Sequence, residues 1–440
     1  MVGQRSVRAG RGPVGWRRAG AAAFAALVLV SACGSSGSSG GKASGTTAPA
    51  TTAKTSGSAG AQDLLGPAKQ ATGAPVKVGV IGDGRSPASD NTIEEDVAKD
   101  TFAFLDGYGG IGGHPVKVYT CETHGDPGGA ADCANQMIQN DVVAVVIGQS
   151  QVVSAVYTPL KAAHMPTLLY GVFDKTVLAD TESTFTLGNP FAVLADLPID
   201  VAKANKVKKV VAALIDVPAA TAFYETEGPA EFKKAGVDLQ IVRIPVSAAD
   251  VTPEMQRIVS SGQKVLVHII GASSTCIAVL NGLHAAGFDG QVTLVQQCID
   301  DSTRKAVPGS VLEGINMSAS APVGDPSDPG LAIYDKEIAP KVKGQVNQGA
   351  TAQLMFISVM AFHSALEGIT GDVTQANVIT TFHGMKAKLL PGGGGVHFRC
   401  NGKAVAGSPA ICVRGGLVTK LDAKGQPTTF KPVGDTPIED

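Results

Sequence analysis

Val142-Val143-Ala144-Val145-Val146-Ile147-Gly148-Gln149-Ser150-Gln151 reads as a buried strand running into a short polar loop. Six apolar residues in a row, without polar alternation, suit a strand covered on both faces of a sheet. Val152, Val156 and Leu160 then recur at helical spacing, so a helix follows the loop. The same unit repeats outward in both directions. Upstream stand a strand at Val76–Ile81, a helix carrying Ile93, Val97, Phe104 and Leu105, a strand at Val116–Tyr119 and a helix over 128–140. Thr92-Ile93-Glu94-Glu95 reads as a capping box opening the first of these helices. Downstream, a helix over 152–163 leads to strands at Thr167–Leu169 and Thr184–Leu187. This rhythm predicts an α/β fold with a mainly parallel sheet covered on both faces.

After Leu187 the rhythm starts again. Strands are predicted at Lys209–Leu214, Leu239–Ile244, Val265–Ile270 and Val292–Val295, with helices over 191–205, 219–235, 253–261 and 274–286. A second lobe built like the first follows. Residues 348–366 form a long helix in which Leu354, Ile357, Met360, Ala361 and Leu366 can face a core. The tail from Gly392 is glycine-rich, then alternating, and reads as irregular strands or a hairpin.

The N-terminus carries different information. Arg5, Arg8, Arg11, Arg17 and Arg18 precede an apolar run from Ala19 to Val30, the pattern of an export signal and too short to span a bilayer. Val30-Ser31-Ala32-Cys33 resembles the lipobox of bacterial lipoproteins, which makes Cys33 the lipidation site, residues 1–32 the signal peptide and membrane attachment a matter of the lipid alone. The export route stays open. Residues 33–74 are rich in Gly, Ser, Thr and Ala and read as a flexible tether. Removal of 1–32 leaves 31 basic against 38 acidic residues, an acidic balance that argues against nucleic acid as a partner.

Seven cysteines occur. With Cys33 set aside for lipid, Cys121 and Cys133, Cys276 and Cys298, and Cys400 and Cys412 cluster as three couples. An exported chain meets an oxidising compartment, so local disulfides are expected from this clustering among the fifteen possible connectivities. No Cys-x-x-Cys and no His pair at ligand spacing supports a metal site.

In an open parallel sheet, ligands bind beyond the carboxyl ends of the strands. Gly82–Pro87 is such a loop, yet Pro87 stands where a dinucleotide fingerprint needs glycine. Gln149 and Ser150 lie in the next loop, where free amides and the serine hydroxyl either cap the helix or hold a ligand anion. Tyr170-Gly171-Val172-Phe173-Asp174 follows the next strand, its aromatics serving either packing or a ligand. In the second lobe Gly271-Ala272-Ser273-Ser274-Thr275 opens a helix in the same way. No His-Glu-x-x-His occurs, no Gly-x-Ser-x-Gly follows a strand as a nucleophile elbow, and the eight histidines are scattered singly, so no catalytic set and no cofactor is expected.

Val76–Gly82, Gly109-Gly-Ile-Gly-Gly-His-Pro-Val-Lys-Val118, Asp126-Pro-Gly-Gly-Ala-Ala131, Val145–Gly148 and Phe288-Asp-Gly-Gln-Val292 together resemble the branched-chain amino-acid (Leu/Ile/Val) binding protein family over about 75–395. That resemblance implies a type I periplasmic-binding fold: two Rossmann-like lobes joined by a three-crossover hinge near 187–190, 319–324 and 385–396. Lobe one would comprise 75–187 and 322–385, lobe two 188–321 and 396–440. It further implies a monomeric, non-enzymatic, extracytoplasmic protein that takes a small polar ligand, an amino acid or related acid or amide, into the cleft and passes it to ABC permease subunits. A ligand-sensing lipoprotein without transport is the alternative. Carried over, the family's carboxylate-gripping serine falls on Ser150, its main-chain contact on Val172 and a hydroxyl position on Asp174. Its ammonium-binding acid falls on Thr275, and the nearest aromatics to its lobe-two aromatic are Phe223 and Tyr224.

Overall fold

The computed structural model describes residues 64–440 except 87, 88, 247, 249, 261, 326, 347 and 348. The expected signal segment, Cys33 and the tether as far as 63 lie outside the described residues. The remainder of the expected tether is not free. Leu64 and Leu65 are the first large aliphatics after the signal run, and Leu65 is buried in the first core. The amides of Lys69 and Ala71 then donate to the carbonyls of Gly107 and Asp106.

The first sheet is parallel throughout, with spatial order β2-β1-β3-β4-β5. Its strands are β1 Val76–Gly82, β2 Val116–Glu122, β3 Ala144–Ile147, β4 Thr167–Leu169 and β5 Thr184–Thr186. β3 and β4 are buried at every position, as runs without polar alternation require. The helix Pro127–Gln139 begins where Asp126 accepts the Gly129 amide at 2.7 Å. The capping box at Thr92 is not formed. Asp90 instead accepts both the hydroxyl and the amide of Thr92, and Thr92 itself has helical backbone angles.

The second sheet has order β14-β13-β10-β9-β8-β6-β7, from β6 Lys209–Ile215, β7 Asp238–Ile244, β8 Leu266–Ile270, β9 Gln291–Leu294, β10 Asn316–Ala319, β13 Gly416–Leu421 and β14 Pro427–Val433. Its last two strands form an antiparallel hairpin on β10. A short pair, β11 Lys388–Leu389 with β12 His397–Phe398, stands apart. The helix Ala350–Ala365 is buried at every residue from Ala352 to Ala365, an apolar surface on all sides that only a core position satisfies.

Two separate hydrophobic cores define the lobes. The chain passes from the first to the second between Leu187 and Ala195, and returns between Met317 and Ala321. The third passage lies later than the expected 385–396. Val396, Phe398, Cys400, Ile411 and Val413 all belong to the first core, because residues 410–412 extend β5: the Thr186 amide donates to the Ala410 carbonyl and the Cys412 amide to the Thr186 carbonyl. The chain crosses only at Arg414–Gly416, before β13. A fourth passage follows β14, since Ile438 packs in the first core. Disulfides join Cys121 to Cys133, Cys276 to Cys298 and Cys400 to Cys412, with Cα separations of 5.5, 5.3 and 4.3 Å.

Candidate functional site

A cavity of about 690 Å³ lies between the lobes, within the range of small-molecule sites. From the first lobe it is lined by Gln149 and by Tyr170 to Phe173, the loops leaving β3 and β4. From the second it is lined by Val217, Ile270, Gly271 and Val295 to Gln297, at the carboxyl ends of β6, β8 and β9. The hinge contributes Leu187 to Pro190, Ser318 to Ser320 and Gly415 to Leu417, and Leu354 stands beneath them on the buried helix.

Beneath the first-lobe loop lie two buried carboxylates. The Gln149 amide donates to Glu94 Oε1 at 2.7 Å and the Gln151 amide to Asp83 Oδ2 at 2.8 Å. Thr123 Oγ1 donates to Asp83 Oδ1 at 2.6 Å. A Cβ at Gly148 would stand 2.4 Å from Glu94 Oε2, so glycine is required for this carboxylate to reach under the loop. Burial raises the Glu94 carboxyl to about pKa 8 against the opposing Gln149 hydrogen bond, and its second oxygen has no partner.

The residues expected from sequence divide into two groups. Gln149, Tyr170 and Val172 line the cavity. Ser150 does not, and its hydroxyl accepts the Val152 amide at 3.2 Å. Asp174 begins the short helix Lys175–Leu178, accepting the Thr176 and Val177 amides and the Ser154 hydroxyl. Burial opposes its ionisation, but the hydrogen bonds from Ser154, Val177 and Thr176 outweigh this and hold its carboxyl below the usual range. Phe223 packs in the second core against Phe191 and Tyr224, while its helix neighbours Ala220 and Ala222 reach the cavity. Thr275 is buried with its hydroxyl unpartnered behind Gly271, and Ser274 is exposed beside it.

Among the described residues, two contacts tie the first-lobe loops to the hinge and to the second lobe. Tyr170, on a first-lobe loop, donates its hydroxyl to the Ser320 carbonyl beyond β10, and burial pushes its phenol upward. Lys175 of the first lobe pairs with Glu227 of the second. At the hinge, the Asn189 side-chain amide donates to the Arg414 carbonyl at 2.6 Å and its oxygen accepts the Phe191 amide at 3.0 Å. Two α/β lobes, strand-end loops facing one another and a cavity bounded by crossover segments are the architecture of a ligand clamp.

Comparison with known proteins agrees with that architecture. The periplasmic binding protein family matches residues 75–416. The chain belongs to this family. Among solved structures, this periplasmic binding protein is similar to a putative branched-chain amino acid ABC transporter protein from Silicibacter pomeroyi, with TM-score 0.66, 14% identity and coverage of 83% of this chain and 98% of that one. An ABC transporter substrate-binding protein from Sphaerobacter thermophilus gives TM-score 0.62 at 18% identity, covering 82% and 99%. A fatty acid ABC transporter substrate-binding protein from Thermomonospora curvata gives 0.57 at 14%, covering 85% and 95%. At these identities the likeness is one of fold. No curated protein sequence matches.

Sequence reasoning missed most of this periplasmic binding protein's cavity lining. Gln296 and Gln297 follow the predicted strand Val292–Val295, so the strand-end rule that flagged Gln149 applied there as well. Leu354, Leu390, Val396 and the hinge residues carried no such signal. Among the described residues no group of His, Cys, Asp and Glu could hold a metal ion, and no helix is long and apolar enough to cross a membrane.

Proposed function

We propose that the protein is the extracytoplasmic solute-binding component of an ABC importer, held at the membrane by lipid on Cys33, and that it captures a small molecule in the interlobe cleft by hinge closure. The observation that carries the reading is the cavity itself, enclosed by strand-end loops of both lobes and by the segments that cross between them. Rotation about such segments leaves both cores intact, and only a ligand touching both lobes favours the closed arrangement. Gln149, Tyr170 and Val172 would supply first-lobe contacts. Ser150 and Asp174 would hold the loops in shape, Phe223 would support the lining helix, and Ser274 and Thr275 would mark the opposing loop. Of the ligands suggested by sequence, the neutral amides suit this lining better than acids or zwitterions. The closed form would then dock on the permease as a monomer.

Mass spectrometry of small molecules retained by the purified protein, followed by X-ray scattering with the compound restored, tests the reading. A retained compound that contracts the protein supports it, whereas a compound that binds without contraction and without protecting the 149–151 and 295–297 amides from exchange counts against it. Cys33→Ser should release the protein from membranes, because the proposed attachment is the lipid on that cysteine, where several acyl chains hold stably and a single chain would not. Full retention of that variant in the membrane fraction would refute the anchor.

A further inference from the structure

Among the described residues lining the cavity there is no Asp, Glu, Lys, Arg or His. A ligand charge enclosed there would lose water without gaining a counter-charge, which is among the costliest arrangements in a protein. In the first lobe the usual remedy, main-chain amides at a helix start, is already in use. Gln149 and Gln151 donate theirs to Glu94 and Asp83, and Val152 donates to the Ser150 hydroxyl. A ligand carboxylate at this loop would have to displace side chains that are themselves buried.

What the cavity does offer is hydrocarbon. Val172, Leu194, Ile270, Leu354, Leu390 and Val396 line it from both lobes. Its volume of about 690 Å³ has room for a molecule larger than a single α-amino acid. Two side-chain amides, one in each lobe, remain wholly uncommitted. Gln149 of the first lobe and Gln297 of the second both line the cavity, and their side-chain amides, each able to donate and accept, make no hydrogen bond among the described residues.

We infer that the ligand is an uncharged, predominantly apolar molecule larger than an amino acid, carrying a carbonyl, amide or hydroxyl group placed for Gln149 or Gln297. The inference rests on the reading of the cleft as the ligand site. A matched set of probes separates the two ideas: octanamide, octanoate and L-leucine, titrated calorimetrically into the full-length protein and into its Gln297→Arg and Leu390→Asp variants. Octanamide is expected to bind at least tenfold more tightly than octanoate or L-leucine. Gln297→Arg, by adding a cation to the lining, should reverse the preference between octanamide and octanoate, and Leu390→Asp should weaken octanamide at least tenfold. If octanoate or L-leucine binds unaltered protein as tightly as octanamide, while the variants still change affinities, the ligand class is wrong and the cleft stands. Octanamide binding that neither variant alters would overturn the cleft itself. No binding of octanamide would overturn the inference.

Discussion

Glu94 in the first lobe and His268 in the second are buried ionisable groups that act on stability in opposite directions. The Glu94 proton is lost near pH 4.5 in an unfolded chain but is kept to about pH 8 by burial in the folded one. Over that interval the native state binds more protons, so this group's contribution to stability falls as pH rises. His268, on β8 with Nδ1 2.7 Å from Thr293 Oγ1, is pushed by burial from 6.5 to about 3. Over that interval the unfolded state binds more protons, so stability falls as pH drops. The two effects offset one another between about pH 4.5 and 6.5, leaving an acid limb from His268 and an alkaline limb from Glu94. Thermal melts across pH should show the alkaline limb weakened in Glu94→Gln and the acid limb weakened in His268→Gln. An alkaline limb of unchanged slope in Glu94→Gln would rule out this carboxyl as its source.

Among the elements, the stretch 397–413 depends most on its disulfide. Its regular structure among the described residues is the two residues of β12 and the bridges to Thr186 and Phe398, and Cys400 is joined to Cys412 with both residues buried. Closing a loop of 12 residues stabilises by about 3 kcal/mol in the chain-entropy view. Cys400→Ser with Cys412→Ser should therefore lower the melting temperature by several degrees and speed amide exchange over 397–413, with β6 to β9 unaffected. Equal loosening of both lobes would show that the bridge acts on more than this segment. The same stretch explains where sequence reading succeeds and fails. The strands β1 to β9 are legible because runs such as Val76–Ile81, Val142–Ile147 and Val265–Ile270 are branched with turn residues after them, whereas β10, with Asn316 and Ser318 among its four residues, carries no such run. The third passage is not legible, because 397–413 joins β5 through isolated main-chain hydrogen bonds that leave no periodic trace. The docking of Leu64 and Leu65 was hidden by the low-complexity composition around them. At the site, strand-end loops pointed to Gln149, Tyr170 and Val172. Leu354 reads only as core, since an aliphatic facing a cavity and one facing a neighbour follow the same spacing.

For the molecule as a whole, the contacts across the cleft set the balance between open and closed forms. Tyr170 with the Ser320 carbonyl is sheltered, and its loss removes about 1 kcal/mol from the closed form. Lys175 with Glu227 is exposed, at 68% and 39% of side-chain area, so it contributes less and is screened by salt. Tyr170→Phe should expand the unliganded protein in X-ray scattering at every ionic strength, whereas Lys175→Ala should do so slightly and only in low salt. An expansion by Lys175→Ala that persists in 1 M salt, where screening acts within about 3 Å, would mean that the lysine works by packing and not by charge.

The path of the chain has a mechanical consequence. Leu65 and Ile438 both sit in the first core, while the second lobe is entered and left through the connecting segments alone. Tension drawn between those two residues therefore runs through the first lobe and bypasses the second, which hangs from it as a closed side loop. Under such a pull the first lobe should yield first, and the second should bear load only after its partner has come apart.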